Sequence, residues 1–427
     1  MKTLIDSVIL VSMDGREPIQ DAVVQIDNGI IAYAGEKEKA PGFAADRTIS
    51  GRGRIAMPGM VNAHTHVPMT LLRGIGSDLP LQRWLTEAIF PLEDKLTGED
   101  VYWGSMLGIM EMLRFGVTSF LDMYMFADDI AQAVEKSGIR AVLQRPILST
   151  QEGDLYRIAE SEELYKNWNG SCEGRLTVMA GPHAEYTSDP EMIKRIVAHA
   201  DKLGCGINVH ISETKSETEE CIGRHGVTPT KYFEQLGLFD RHAVAAHCVW
   251  MTPDDAEIFA RKGVYIAHNP VSNLKLGSGV MPIHEQLLSH TALGTDGAAS
   301  NNTLSIFEEL RAAALIHKGV TLDPTLIGAK QALEMATVNG ARALALENVG
   351  ALSQGMKADL ILVKTAGAHA APMADPLSHL VYAAQGSDVS LTMVDGHILY
   401  EDGQFSTFDA QEVIAQAKAC AKELVGA

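Results

Sequence analysis

From Pro58 to about residue 349, short apolar runs alternate with stretches of helical length. Eight runs can be counted: Gly59–His64, Thr118–Met123, Arg140–Ile147, Leu176–His183, Gly206–Ser212, Ala243–Val249, Val264–Asn269 and Thr291–Asp296. Most are apolar almost throughout, as parallel strands covered on both faces are. Helix-start signals lie between several of them. Ser188-Asp189-Pro190-Glu191 has capping-box spacing, and Thr252-Pro253-Asp254 opens another helix. Eight strands alternating with helices predict an α/β fold of the (β/α)8 TIM-barrel type. A doubly wound open sheet competes with it. That fold would bring a glycine-rich phosphate loop after its first strand, which Gly59–His66 is not.

The two ends of the chain read differently. Ser7–Ser12, Ala22–Ile26 and Ile30–Ala34 are short strands, with a hairpin turn at Asp27-Asn28-Gly29. Ala358–Val363 and Leu391–Val394 repeat the pattern near the C-terminus, with turns at Asp395-Gly396 and Asp402-Gly403. A helix over 409–426 closes the chain. The prediction is a small β-sandwich assembled from residues 1–57 and 350–427, with the barrel of 58–349 inserted between its parts.

Composition narrows the functional classes. A formal charge of −19 repels phosphate backbones and anionic lipid surfaces, so a small-molecule substrate is expected rather than nucleic acid or a membrane. The five cysteines are scattered without CxxC spacing, which fits a reducing compartment. The apolar run before Asp14 is too short for a signal peptide, and no stretch approaches the roughly 20 apolar residues of a membrane span. A soluble, cytoplasmic protein is the expectation, with homo-oligomerisation left open.

The polar residues fall at strand ends. The first, fourth, fifth, sixth and eighth runs end in His64 with His66, His183, His210, His247 and Asp296. A barrel builds its active site at the C-terminal ends of several strands at once. In extended chain, residues i and i+2 point the same way, so His64 and His66 can offer two imidazoles to one ion. His210 and Asp296 complete a three-His, one-Asp set suited to Zn²⁺, with Fe²⁺ or Mn²⁺ as alternatives. Glu213, three residues after His210, can move protons between water and a leaving group. His247 is either a further ligand or a hydrogen-bond partner of the attacking water.

The run Pro58-Gly59-Met60-Val61-Asn62-Ala63-His64-Thr65-His66 resembles the amidohydrolase superfamily. Ala245-Ala246-His247-Cys248, His268-Asn269-Pro270 with Ser272-Asn273-Leu274-Lys275-Leu276-Gly277, and Gly294-Thr295-Asp296-Gly297 extend the likeness across nearly the whole chain. Met69-Thr70-Leu71-Leu72-Arg73-Gly74, Asp78-Leu79-Pro80-Leu81 with Trp84-Leu85, and Phe90-Pro91-Leu92-Glu93 are similar to the 5-methylthioadenosine/S-adenosylhomocysteine deaminase family.

That resemblance implies one zinc on His64, His66, His210 and Asp296, with Glu213 as proton shuttle and His247 orienting the nucleophile. It also implies that Glu93 binds the ribose hydroxyls and that His183 touches the purine. Arg145 and Arg157 would hold the amino-acid carboxylate of S-adenosylhomocysteine, and Trp84 would wall the pocket. The implied reaction is hydrolytic deamination of adenine at C6, giving the inosine analogue and ammonia. Rival readings are a guanine, cytosine or pterin deaminase, a triazine hydrolase, and a catalytically silent ligand-binding barrel. A cyclic amidase would carry a carboxylated lysine at the end of the fourth strand, where His183 stands.

Overall fold

In a computed structural model, which describes residues 1–149 and 155–426, the middle of the chain forms two four-stranded parallel sheets. The first holds β1 (Met60–Thr65), β2 (Val117–Met123), β3 (Arg140–Gln144) and β4 (Leu176–Val178). The second holds β5 (Ile207–Ile211), β6 (Ala243–His247), β7 (Tyr265–His268) and β8 (Thr291–Leu293). All eight predicted runs therefore contain a strand, but β4 and β8 are shorter than their apolar patterns. Beyond β4 the chain keeps only isolated bridges, Ala180 to Ile207 and Pro182 to Ile147.

Backbone hydrogen bonds join the two sheets at both margins. Between β4 and β5, Ala180 N–H donates to Gly206 O and Asn208 N–H to Ala180 O. Between β8 and β1, the N–H groups of Thr295 and Asp296 both donate to His64 O. The second junction needs a glycine. A Cβ on Gly294 would lie 2.9 Å from the backbone N and O of His64 and 2.3 Å from Asn269 Oδ1. One apolar cluster draws on both sheets, with Val61, Ala63, Leu121 and Val142 from the first and Val244, Ala246, Ala267 and Ala292 from the second.

Helices follow the strands, and local chemistry sets their ends. Pro190–Leu203 starts at Asp189, whose carboxylate accepts from Met192 N–H. Ser188, the first residue of the predicted capping box, donates instead to Ile147 O. Thr252 and Asp255 form a reciprocal capping box at the start of Pro253–Lys262.

Both termini enter one nine-stranded sheet. The three predicted N-terminal strands are present, the second and third extended to Ile19–Asp27 and Ile30–Glu36, while the first, Lys2–Leu10, starts five residues before the expected Ser7 and ends two before Ser12. Arg54–Pro58 pairs antiparallel with Leu360–Lys364, and this pair ties the two ends of the chain together. The sequence pattern does not announce the short strands Arg47–Ser50, His397–Glu401 and Gln404–Phe405. Asn28 and Gly29, both at positive φ, make the tight turn between the second and third strands. The closing helix spans Ala410–Val425, capped by Asp409 and ended at Gly426. Arg140, at the start of β3, is 2% exposed and locks this sheet to the middle of the chain. Its guanidinium binds Asp359 through Nε (2.9 Å) and Nη2 (3.1 Å), and Asp395 through Nη2 (2.9 Å). Among the described residues no helix is long and apolar enough to cross a membrane.

Candidate metal centre and active site

The strand ends bring His64, His66, His210 and Asp296 together. His64 Nε2 lies 3.1 Å from His210 Nε2 and 3.6 Å from Asp296 Oδ1, and His66 Nε2 lies 3.2 Å from the same oxygen. An ion with bonds of roughly 2.0–2.1 Å to four tetrahedral ligands sets neighbouring donors about 3.3 Å apart. The close pairs match that spacing, but the donors fall into two groups that share His64, one with His66 and Asp296 and the other with His210 and His247. The charge suits a cation, because Asp296 is buried and faces imidazoles rather than a lysine or arginine. Burial lowers the His66 pKa, but the hydrogen bond and charge of Asp296, helped by Asp122, more than reverse this and lift it to about 9. His64 beside it goes the other way, held down to about 3 chiefly by burial, and burial lowers His210 as well.

Outer contacts aim the donors. His66 Nδ1 meets Met123 O at 2.6 Å and His210 Nδ1 meets His183 O at 2.9 Å. A ring that donates from Nδ1 to a carbonyl leaves its Nε2 lone pair free for a metal. Ser272 and Ser300 each donate to Asp296 Oδ2 at 2.7 Å, so only Oδ1 turns to the histidines. His247 Nδ1 meets Asn273 Oδ1 at 2.9 Å, and its ring centre stands 5.4 Å from those of His64 and His210.

The strand ends are also bent out of ordinary geometry. Ser212, His247, Cys248 and Asp296 all have φ between 50° and 72°. L-residues seldom adopt this region, and such strain concentrates where a fold must aim side chains. After Ser212, the N–H groups of residues 212 and 213 donate to the buried carboxylate of Glu217, at 2.9 and 2.7 Å. That clamp fixes the loop carrying Glu213, whose own carboxyl is pushed up by burial against the opposing pull of His247.

The remaining predicted residues divide. His183 packs edge-on against His210 at 4.7 Å between ring centres, and burial pulls its pKa down to about 4. Glu93 accepts a 2.5 Å hydrogen bond from Tyr124, whose ring lies 6.2 Å from that of His66. Trp84 is buried in the main apolar core and donates from Nε1 to Ile75 O. Arg145 is paired with Glu160 at 2.8 Å, and Arg157 donates to Leu148 O and lies over the Tyr156 ring. The structure therefore joins Glu93 and His183 to the histidine cluster, and gives both arginines and Trp84 partners within the protein. Sequence reading passes over Tyr124, Ser300 and Glu217, and takes Ser272 only as part of a motif, with no role of its own. Tyr124 carried a usable signal, since it directly follows the apolar run 118–123.

The sequence profile of the amidohydrolase family matches residues 55–399. The chain belongs to this family. Among the relatives of this amidohydrolase, a protein of Moorella thermoacetica is 46% identical over 97% of the chain and 98% of its own length. One of Pelotomaculum thermopropionicum is 44% identical over 99% and 98%. Both are named 5-methylthioadenosine/S-adenosylhomocysteine deaminase. The crystal structure of an adenosine deaminase from Xanthomonas campestris with bound zinc is similar at a TM-score of 0.95 and 33% identity, covering 100% of this chain and 99% of that one.

Proposed function

We propose that this amidohydrolase removes the C6 amine of adenine, by hydrolysis, from 5-methylthioadenosine and S-adenosylhomocysteine, with adenosine as a further substrate. Full-length identity of 41–46% to proteins bearing that name is the observation that carries the substrate assignment. The grouping of His64 with His66 and Asp296 on one side and with His210 and His247 on the other supports the chemistry.

His64, His66, His210 and Asp296 would hold one zinc ion. Zinc bound there supplies a Lewis acid that lowers the pKa of a coordinated water to about 7. Glu213 takes a proton from the attacking water and passes it to N1 of the purine, which makes C6 electrophilic. His247, held at Nδ1 by Asn273, directs its Nε2 towards the nucleophile. With the tetrahedral centre formed at C6, Glu213 takes the remaining proton from the C6 hydroxyl and delivers it to the departing amine, so that the C6 carbonyl forms and ammonia leaves. Glu93 receives the ribose hydroxyls, and His183 lies against the purine. Arg145 and Arg157 are assigned to the carboxylate of the longer substrate, for which Arg145 must loosen its pairing with Glu160. Trp84 backs the pocket from the core.

We also assign residues 58–349 to a closed (β/α)8 barrel. Hydrogen bonds at both sheet margins and the shared apolar interior support closure. Residues 1–57 and 350–427 form the second unit. The common cluster of Ile5, Val24, Leu360 and Leu391 supports its folding over on itself as a sandwich.

Ammonia release from 5-methylthioadenosine by the zinc-loaded protein tests the reading. Turnover of guanine or a triazine in preference to the nucleosides overturns it.

A further inference from the structure

Asp122 and Met123, which end β2, and Tyr124, which follows it, each hold a different part of the site. Asp122 Oδ1 accepts the backbone N–H of Val67, directly after the paired histidines, at 2.5 Å. The Met123 carbonyl receives His66 Nδ1 at 2.6 Å. The Tyr124 hydroxyl donates to Glu93 Oε1 at 2.5 Å. Tyr124 is 5% exposed, and its own N–H is fixed to Gln144 O on β3.

Glu93 has no comparable support of its own. It ends the one-turn helix Phe90–Glu93, which follows the π-helical turn Trp84–Ile89, and its side chain makes a single hydrogen bond among the described residues, the one to Tyr124. A phenol donating to a carboxylate makes a short, charge-assisted bond that fixes the orientation of the acceptor. With Oε1 engaged by Tyr124, Oε2 is the oxygen left to meet a ligand.

We infer that Tyr124 is a positioning residue that sets specificity for the ribose diol, by holding Glu93 at a fixed distance from His66. The inference rests on the ribose role proposed above for Glu93. Strand β2 then acts as a gauge. Met123 places the metal-ligand ring of His66, and the next side chain places the carboxylate that reads the sugar. The distance between the reacting end and the sugar end of the site is thereby written into the last residue of β2 and the one that follows it.

The test compares 5-methylthioadenosine with its 2′-deoxy analogue in wild type, Tyr124→Phe, Glu93→Gln and the double variant, with metal content and melting temperature measured for each. Tyr124→Phe is expected to raise KM for the ribonucleoside on the order of tenfold, the scale of one lost charge-assisted hydrogen bond. It should leave kcat within about threefold, since the proton-transfer residues are untouched, and narrow the preference for the ribo substrate. In the double variant Tyr124→Phe should add nothing to Glu93→Gln, because it acts through that carboxylate. Tyr124→Met, which fills the same space without a donor, is expected to behave alike and keeps the comparison available if Phe loses the metal. A preference that collapses in Glu93→Gln but stands unchanged in both Tyr124 variants overturns the inference alone. So does a fall in kcat with the preference intact. A preference unchanged in Glu93→Gln removes the ribose reading itself.

Discussion

Ser300 decides how Asp296 faces the histidines. Its hydroxyl donates to Asp296 Oδ2 at 2.7 Å, and Ser272 donates to the same oxygen at the same distance, so the carboxylate points one oxygen inward. Replacing both serines with alanine is expected to let the carboxylate rotate and to weaken metal binding by about 10–100-fold, the usual scale for outer-shell partners. Competition against a chelator of known affinity measures this. Equal affinity in the double variant and wild type would show that packing alone orients Asp296.

Glu213→Gln keeps the shape of the side chain and removes its capacity to carry a proton. Metal content should stay at the wild-type level while turnover of 5-methylthioadenosine falls by about 10²–10⁴-fold. Full activity in the metal-loaded variant sinks the proton-shuttle assignment.

At the β8–β1 margin, Gly294→Ala would press a methyl group against the backbone of His64 and the amide of Asn269. The N–H groups of Thr295 and Asp296 must then move away from His64 O. We expect a loss of about 1–3 kcal/mol in stability, typical of overpacking, together with weaker metal retention. Denaturant titration and metal analysis of the same preparation give both numbers.

Arg140 is the buried link between the terminal sheet and the middle of the chain. Arg140→Met leaves Asp359 without its guanidinium in a site where both partners are at most 2% exposed. Removing one side of such a pair typically costs about 3–5 kcal/mol. Arg140→Lys should recover little, since one ammonium cannot reproduce contacts to two carboxylates. Chemical denaturation of the three proteins checks the order wild type, Lys, Met.

Glu309 is fully buried, accepting from Val271 N–H and Asn301 Nδ2, and burial pushes its carboxyl up to about 8. The folded protein therefore holds this proton more tightly than the unfolded chain, whose value is near 4.5. The favourable contribution is complete below that value and is lost as pH rises through about 8. Relative to Glu309→Gln, wild type should lose stability steadily between those limits and then level off. Unfolding free energies of both proteins across this range test the slope, and a difference that does not vary with pH rules out the shift.

Much of the site was legible because its signal is local. A histidine or aspartate that ends an apolar run, as His64, His210, His247 and Asp296 do, is visible without knowing what the run pairs with. The serines around Asp296 and the tyrosine behind Glu93 depend on contacts across 24, 4 and 31 positions, and two of those distances exceed any periodic pattern. Arg140 has the same difficulty. It reads as the polar start of a strand, and only its contact with Asp359, 219 positions away, reveals a buried ion pair. Within the terminal sheet, Arg47–Ser50 was hidden because only Ile49 of its four residues is buried. The length of β4 was overread because apolar residues continue where ladder pairing ceases.

The four residues assigned to the metal come from both parallel sheets: His64 lies in β1 with His66 just after it, His210 lies in β5, and Asp296 follows β8. Neither sheet can complete the site, and a chain with only the first folded offers an ion two neighbouring imidazoles. On that assignment, an ion that takes all four ligands must wait for both halves to assemble. Once captured, the ion resists their separation, adding RT ln(1 + [metal]/Kd) to the work of pulling them apart. On that assignment, scarcity of the ion would remove more than activity, because the apoprotein would lack the tie across its own midline and would be the form more open to local unfolding and proteolysis.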